Sequence, residues 1–341
     1  MESLALYYPV DHQKHYLYAH PERPERVEVI KEGLEEIGLW EKALHLDPFD
    51  LDHTFLKSVH DEEYLQILER ASKKEQMLDQ DTYTTQASWS LALNAAGGGA
   101  AITSAVWDRK AQTGFSLTRP PGHHATMNRG MGFCLINNIA VAAEYLVQYK
   151  KASKIAIIDL DLHHGNGTQD IFWNRSDICY ISIHQAPFYP GTGALLDIGG
   201  KRGAGATMNL PIPGFSGDLA YLTLVNEIVI PYLDQQKPEI ILISFGFDTH
   251  WRDPLGNMLV SGNGIFHIMN EIRSWTELNC SGKLAVLLEG GYDLEAGRNC
   301  GQAVGAALVN QSWSDPLGPA LEEEENGWRD TLSRAKEIWN F

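Results

Sequence analysis

Acidic and histidine side chains cluster at two points of the sequence, and their types and spacing could bind a divalent metal ion. In the segment 159–164, Asp161 and His163 are two residues apart. Because residues i and i+2 of a strand point to the same face, this carboxylate and this imidazole lie side by side. Asp248 follows another apolar run and could supply a third ligand. Three protein ligands beside an open position are typical of catalytic zinc, and manganese or iron would also accept this set.

Two further segments could supply proton transfer and anion stabilisation. The adjacent histidines His123 and His124 follow Arg-Pro-Pro-Gly at 119–122, which predicts a rigid turn that holds both imidazoles. Histidines held in this way are suited to moving protons near neutral pH. The segment 289–292, Glu-Gly-Gly-Tyr, could place a phenol against a developing oxyanion, although a plain turn with a surface tyrosine is an equally good interpretation.

Short apolar runs lead into each of these segments. The runs that we interpret as buried strands are 113–118, 154–158, 178–183, 239–245 and 283–288. Segments with helical periodicity lie between several of these apolar runs, at 135–149, 218–235 and 263–277. This alternation predicts an α/β fold with a parallel sheet, in which ligands bind beyond the carboxyl ends of the strands. The glycine-rich stretch 94–101 matches no phosphate-binding pattern and predicts a closely packed helix instead.

The composition excludes several classes of protein. The chain has 27 basic and 44 acidic residues, a formal charge of −17, which argues against a nucleic-acid partner and suits a cationic substrate. Four cysteines without a CxxC pair indicate a reduced, intracellular protein. The start has no signal-peptide pattern and the apolar stretches are too short to span a membrane, so we expect no membrane partner and a cytoplasmic location. Without a break in composition, we expect a single catalytic domain over 1–341.

Together these motifs resemble the arginase–deacetylase superfamily, in the branch of histone deacetylases, acetylpolyamine amidohydrolases and acetoin-utilisation proteins. The resemblance runs through 20–26, 81–82, 120–125, 132–133, 159–168, 190–193, 247–248, 253–256 and 289–292. It implies a single-domain arginase–deacetylase fold, with a central, mostly parallel sheet of about eight strands and helices on both faces. It also implies a zinc-dependent deacetylase that removes acetyl or short acyl groups from the amine of acyl-lysine.

The resemblance assigns a role to each matching position. The implied Zn²⁺ ligands are Asp161, His163 and Asp248. The implied catalytic residues are the pair His123 and His124, Asp159 as partner of His123, Asn166 behind His124, and Tyr292 at the transition state. The implied substrate contacts are the tunnel walls Phe133 and Tyr189, the rim residues Asp81 and Leu255, the backbone of Gly290 and Gly291, and Arg26 near the inner acetate channel. Asn166, where class I enzymes have Asp, resembles class II and leaves His124 less biased toward imidazolium.

The family also binds monovalent cations, so the resemblance implies structural K⁺. The first implied site comprises Asp159, Ser182, Ile183 and the main chain of Asp161 and His163. A second, weaker site comprises Phe172, Arg175, Ile178 and Tyr221.

Two positions narrow the alternatives. Gly165 stands where binuclear relatives hold a second metal with Asp, which argues against a ureohydrolase. Leu255 stands where polyamine-selective relatives place a carboxylate, which favours acyl-lysine over acetylpolyamine. An acetylpolyamine amidohydrolase and an acetoin-utilisation protein stay open, whereas a catalytically silent acyl-lysine binder would have lost a ligand or the tyrosine. The sequence does not fix the physiological substrate, the acyl length or the oligomeric state, a homo-oligomer included. It also leaves open whether His123 or His124 protonates the leaving amine.

Overall fold

Eight strands, all paired in parallel, form one open sheet in the computed structural model, which describes residues 2–341. The strands are β1 Glu2–Tyr7, β2 Leu44–His45, β3 Ala111–Ser116, β4 Ile155–Asp159, β5 Ile178–Gln185, β6 Thr207–Ile212, β7 Ile240–Phe245 and β8 Leu284–Leu288. Their order across the sheet is β2-β1-β3-β8-β7-β4-β5-β6. The predicted α/β class and parallel sheet are confirmed.

The continuous apolar runs become strands because both of their faces are buried. In β4, Ile155 and Ile157 pack into one core, whereas Ala156 and Ile158 pack into the other. All five strands that the runs predict are present, with ends shifted by at most two residues. The strands β1, β2 and β6 were not read from the sequence pattern. Pro211 interrupts the pattern of β6, and the edge position of this strand tolerates a residue that cannot donate to a ladder.

Helices cover both faces of the sheet. One face is covered by α1 Glu25–Glu36, α7 Asp218–Leu224, α8 Ile230–Gln236, α9 Gly262–Asn279, α10 Leu294–Leu308 and α11 Trp328–Trp339. The other is covered by α2 His53–Leu56, α3 Glu62–Lys74, α4 Ser88–Trp107, α5 Asn138–Lys150 and α6 Asn166–Phe172. The helix predicted at 218–235 contains a π turn, Val225–Val229, between α7 and α8. Pro231 accounts for it, because a proline disrupts regular α-helical bonding to the preceding turn.

The glycines of α4 allow close packing, as the sequence predicts. A Cβ on Gly98 would lie 2.4 Å from the ring of Tyr7, and one on Gly97 would lie 2.2 Å from the carbonyl oxygen of Phe49. The segment is therefore helical and touches the sheet directly, and it forms no phosphate-binding loop.

The strand order brings the chemical segments together. Strands β3, β8, β7, β4 and β5 are consecutive neighbours, and the segments with candidate chemistry all begin at or just beyond their carboxyl ends. This is the edge at which open α/β sheets bind ligands. Among residues 2–341, no helix is long and apolar enough to cross a membrane, and all four cysteines are buried and unpaired.

Candidate active site

Three predicted metal ligands converge at this edge. The ligand atoms of Asp161, His163 and Asp248 all lie within 4.8 Å of one another. The Nδ1 atom of His163 is 3.2 Å from an oxygen of each aspartate. Close contact requires glycine behind the carboxylates, because a Cβ on Gly246 would lie 1.8 Å from Asp161 Oδ2 and one on Gly290 would lie 2.3 Å from Asp248 Oδ2. Both neighbouring strand ends are thus shaped around this pair of acids.

The charge of this cluster fits a bound cation. Both carboxylates are buried, and within residues 2–341 neither forms a salt bridge with a lysine or an arginine. Burial opposes a charge on His163, yet hydrogen bonds from its ring to Asp161 and Asp248 raise its pKa to about 10. The site therefore favours a positive charge at the point between the three candidate ligand atoms. Two carboxylates and one imidazole, open on one side, match the ligand types of a catalytic zinc site.

The two adjacent histidines have different partners. His123 Nδ1 donates to Asp159 Oδ2 at 3.1 Å, and His124 Nδ1 donates to Asn166 Oδ1 at 2.8 Å. Burial lowers the pKa of His123, but the charges of Asp161 and Asp159 outweigh it and raise the value to about 10. Burial, together with the charges of His123 and His163, holds the pKa of His124 well below its usual range. His124 is therefore neutral at pH 7, and its Nε2 carries a free lone pair.

Glu289 braces the turn that carries the histidine pair. Its Oε2 accepts hydrogen bonds from Gly122 N at 2.7 Å and His123 N at 3.1 Å, and its Oε1 accepts from Ser244 Oγ at 2.8 Å. Glu289 also lies with His123 and Cys134 in a second group of potential metal ligands. Because both of its oxygens are engaged, we assign Glu289 to the turn and not to a metal. The sequence motif contains this glutamate, but its role was not predicted.

A buried ion-pair network supports the same region from behind. Arg119 Nε donates to Glu22 Oε1 at 2.8 Å, and Arg26 Nη1 donates to the same oxygen at 3.1 Å. All three side chains are buried, and Arg119 Nη2 also donates to the carbonyl of His15 at 2.6 Å. Sequence reasoning missed Glu22 and the role of Arg119, because no local pattern joins residues 97 positions apart.

The segment 289–292 forms a wall of the site. Arg26 Nε donates to the carbonyl of Gly291 at 2.6 Å, and its guanidinium lies 4.8 Å from the ring centroid of Tyr292. Asp253 Oδ2 accepts from Tyr292 N at 2.6 Å. Gly291 has a φ of +104°, which favours glycine. Burial raises the pKa of Tyr292 well above its usual range, so its hydroxyl is a proton donor, in contrast to the surface tyrosine of the simpler interpretation.

A cavity of about 260 Å³ leads from the surface to this cluster. Its lining comprises Asp81, His124, Gly132, Phe133, His163, Tyr189, Leu255 and Tyr292. The four side chains predicted to contact substrate at the tunnel and rim therefore share one cavity with the predicted chemistry. His20, which was not predicted to take part, holds two of them: its Nε2 donates to the carbonyl of Asp81 at 3.0 Å, and its ring packs 4.6 Å from that of Phe133.

Gly165 leaves no room for another metal ligand. A Cβ at this position would lie 2.0 Å from Asp159 Oδ2 and 2.7 Å from the hydroxyl of Tyr180. The space that an acid at this position would need is thus occupied by the buried carboxylate that bonds to His123. This geometry is consistent with the argument against a binuclear site.

The predicted K⁺ residues divide into two places. Asp159 pairs with Ser182 across β4 and β5, and Ile183 follows at the same end of the sheet. Phe172, Arg175 and Ile178 instead lead into the opposite, amino-terminal end of β5.

Tyr221 lies apart from that second group. Its helix α7 follows the carboxyl end of β6, and the charges of Asp248, Asp161 and Asp159 act on its hydroxyl. The connections that precede and follow a parallel strand lie at opposite ends of the sheet. Tyr221 therefore lies toward the carboxyl edge, apart from Phe172, Arg175 and Ile178, and the second K⁺ site stays a prediction.

Comparison with known proteins identifies the family of the chain. The sequence matches the histone deacetylase domain over residues 20–308. It is 39% identical over 278 residues to a probable deacetylase of Archaeoglobus fulgidus, covering 81% of this chain and 77% of that one. It is 35% identical over 311 residues to a histone deacetylase-like amidohydrolase of Pseudomonas aeruginosa, covering 90% and 82%.

A plant relative and a solved structure extend the similarity. Histone deacetylase 14, chloroplastic, of Arabidopsis thaliana is 36% identical over 348 residues, covering 95% of this chain and 82% of the relative. Because this relative is named chloroplastic, the cytoplasmic location stays a prediction. The crystal structure of the HDA15 HD domain superposes with a TM-score of 0.89 at 33% identity and covers 100% of this chain and 97% of that one. The chain belongs to the histone deacetylase domain family.

Proposed function

We propose that this protein is a zinc-dependent amidohydrolase that removes acetyl or short acyl groups from the side-chain amine of acyl-lysine. One observation carries the proposal: the cavity that contains Phe133 and Tyr189 also exposes His124, His163 and Tyr292. Aromatic walls suited to an acyl-alkyl chain, a candidate metal ligand, a candidate base and a candidate oxyanion donor thus line one space. Leu255 in the same wall offers no carboxylate to a distant ammonium, which supports acyl-lysine over acetylpolyamine.

Asp161, His163 and Asp248 are the side chains that would hold the metal. The chemistry that Zn²⁺ supplies in such a site is a Lewis acid for the amide carbonyl and a lower pKa for a water molecule. No salt bridge to lysine or arginine neutralises the two acids within residues 2–341, so a dication suits the charge of the site. We further propose that Asp159, Ser182 and Ile183, with the main chain of Asp161 and His163, hold a structural K⁺.

The proton-transfer steps follow from the two histidine environments. His124 is the pair member that lines the cavity, and its Nε2 is free to take a proton from the attacking water. The same nitrogen then returns the proton to the leaving amine. His123 does not line the cavity, and its charge influences His124 from behind. The hydroxyl of Tyr292 donates a hydrogen bond to the tetrahedral oxyanion. This bond strengthens as negative charge develops on the oxygen.

Acetate release from a substrate panel tests this function. The purified protein is loaded with Zn²⁺ and compared on an acetyl-lysine peptide, acetylated putrescine and acetylated spermidine. We expect the peptide to give the highest kcat/KM and the Asp248→Asn variant to lose both metal and turnover. Preference for the acetylated polyamines would replace acyl-lysine as the substrate. Absence of amide hydrolysis from every member of the panel by the zinc-loaded protein would refute the deacylase proposal.

A further inference from the structure

A tyrosine outside the predicted site bonds to the aspartate behind the histidine pair. Tyr180 lies in the middle of β5, between β4 and β6, and is 1% exposed. Its hydroxyl donates to Asp159 Oδ2 at 3.0 Å. The same carboxylate oxygen accepts from His123 Nδ1 at 3.1 Å. Tyr180 is thus two hydrogen bonds away from the catalytic pair without touching the cavity.

Few protein groups donate to Asp159. It is fully buried, and within the described residues 2–341 its other oxygen accepts from Asp161 N alone, at 3.2 Å. Within residues 2–341, no lysine or arginine forms a salt bridge with it. A buried carboxylate is stabilised by the groups that donate to it, so each of these donors matters for its orientation. Tyr180 contributes one of the two donors on the oxygen that orients His123.

The local sequence makes room for this hydroxyl. A Cβ on Gly165 would lie 2.7 Å from the hydroxyl oxygen of Tyr180 and 2.0 Å from Asp159 Oδ2. The glycine therefore lets the tyrosine, the aspartate and His123 meet at one point. The backbone of Tyr180 is fixed as well, because its N–H donates to the carbonyl of Ala206 at 2.8 Å and its residue pairs with Ile157.

We propose that Tyr180 is a positioning residue for amide hydrolysis, which fixes the Asp159 carboxylate and through it the orientation of His123. This inference rests on the proposed function, because it assigns Tyr180 to the same reaction. This role requires the hydroxyl of Tyr180 to reach Asp159. Packing of the aromatic ring alone would not provide it. Groups that orient the partners of a catalytic site typically change activity by about 10–100-fold when they are removed.

The Tyr180→Phe variant removes only the hydroxyl. We expect kcat on the acetyl-lysine peptide to fall about tenfold, with KM and bound zinc unchanged. The matched control is Tyr232→Phe in α8, which removes another buried hydroxyl bond, to the carbonyl of Gly205 at 2.8 Å, and leaves kcat unchanged. Thermal unfolding of both variants reports the stability that each hydroxyl provides.

A double-mutant cycle decides whether the hydroxyl acts through His123. In a His123→Ala background, Tyr180→Phe should produce no further loss of kcat, because the group that it positions is gone. An equal loss in both backgrounds, an unchanged kcat in Tyr180→Phe alone, or a loss that follows zinc content would overturn the inference. An inactive wild-type enzyme would refute the proposed function itself, so the two failures are distinguishable.

Discussion

His123 and His124 are adjacent residues of the same type, yet the fold places them in opposite electrostatic environments. His123 faces Asp159 and Asp161, and its pKa is raised to about 10. His124 faces the neutral Asn166 and two other imidazoles, and its pKa lies well below the usual range. Only His124 lines the cavity. The fold thus distinguishes the two histidines through the partner of each Nδ1 atom, Asp159 or Asn166, because the rings themselves are identical.

Removal of His124 should have the largest effect. We expect His124→Ala to lower kcat on the acetyl-lysine peptide by about 10²–10⁴-fold, because general acid–base catalysis contributes this range. Bound zinc, measured by elemental analysis, should stay at the wild-type level. Turnover within a few-fold of wild type would show that another group moves the proton and would break the contrast between the two histidines.

Tyr292→Phe should follow closely. The phenol shares the cavity with His124, and loss of one oxyanion donor typically costs about 10²–10³-fold in kcat. Steady-state kinetics with a parallel zinc determination separates this effect from loss of metal. Near-normal turnover in the variant would mean that the hydroxyl of Tyr292 does not stabilise the oxyanion.

His123→Ala should cost less than His124→Ala. Since His123 acts from behind the cavity, we expect a loss of about 10–100-fold in kcat. The two variants are compared at the same pH and the same zinc content. A loss as large as that of His124→Ala would mean that both imidazoles take part in proton transfer, and the asymmetry would then be wrong.

Asn166→Asp should change the pH dependence more than the maximal rate. A carboxylate beside His124 favours its imidazolium form and raises its pKa by about one unit or more. Because the neutral ring is the base, the acidic limb of kcat/KM should move to higher pH, so activity is lost earlier as the pH falls. The isosteric, uncharged Asn166→Leu serves as control and should not move the limb upward. An unshifted limb in Asn166→Asp would argue that His124 is not the titrating base.

The sequence predicts the residues at strand ends better than the residues that brace them. Asp161, His163 and Asp248 could be placed together because each follows a strand of one parallel sheet. The contacts of Glu289 with the histidine turn could not be predicted, since β8 is a neighbour of β3 only in the folded sheet. Tyr180 resembles any other apolar strand residue in the sequence. Its bond to Asp159 depends on the register of β4 and β5, which no local pattern specifies.

The strands of the sheet were also predicted only in part. The buried central strands were predicted because their apolar runs are continuous. The missed strands lie toward the edges of the sheet: β2 has two residues and β6 contains Pro211. Tyr221 was assigned to the second K⁺ site by the resemblance alone, and no local pattern joins it to Phe172, Arg175 and Ile178.

Zinc titration tests whether the three candidate ligands hold one catalytic ion. The protein is freed of metal with a chelator, Zn²⁺ is added stepwise, and acetate release from the acetyl-lysine peptide is measured at each step. If Asp161, His163 and Asp248 hold one catalytic ion, activity will rise from zero and reach its plateau at one zinc per chain. Full turnover by the metal-free protein, or a plateau that requires two ions per chain, would mean that these side chains do not hold a single catalytic ion.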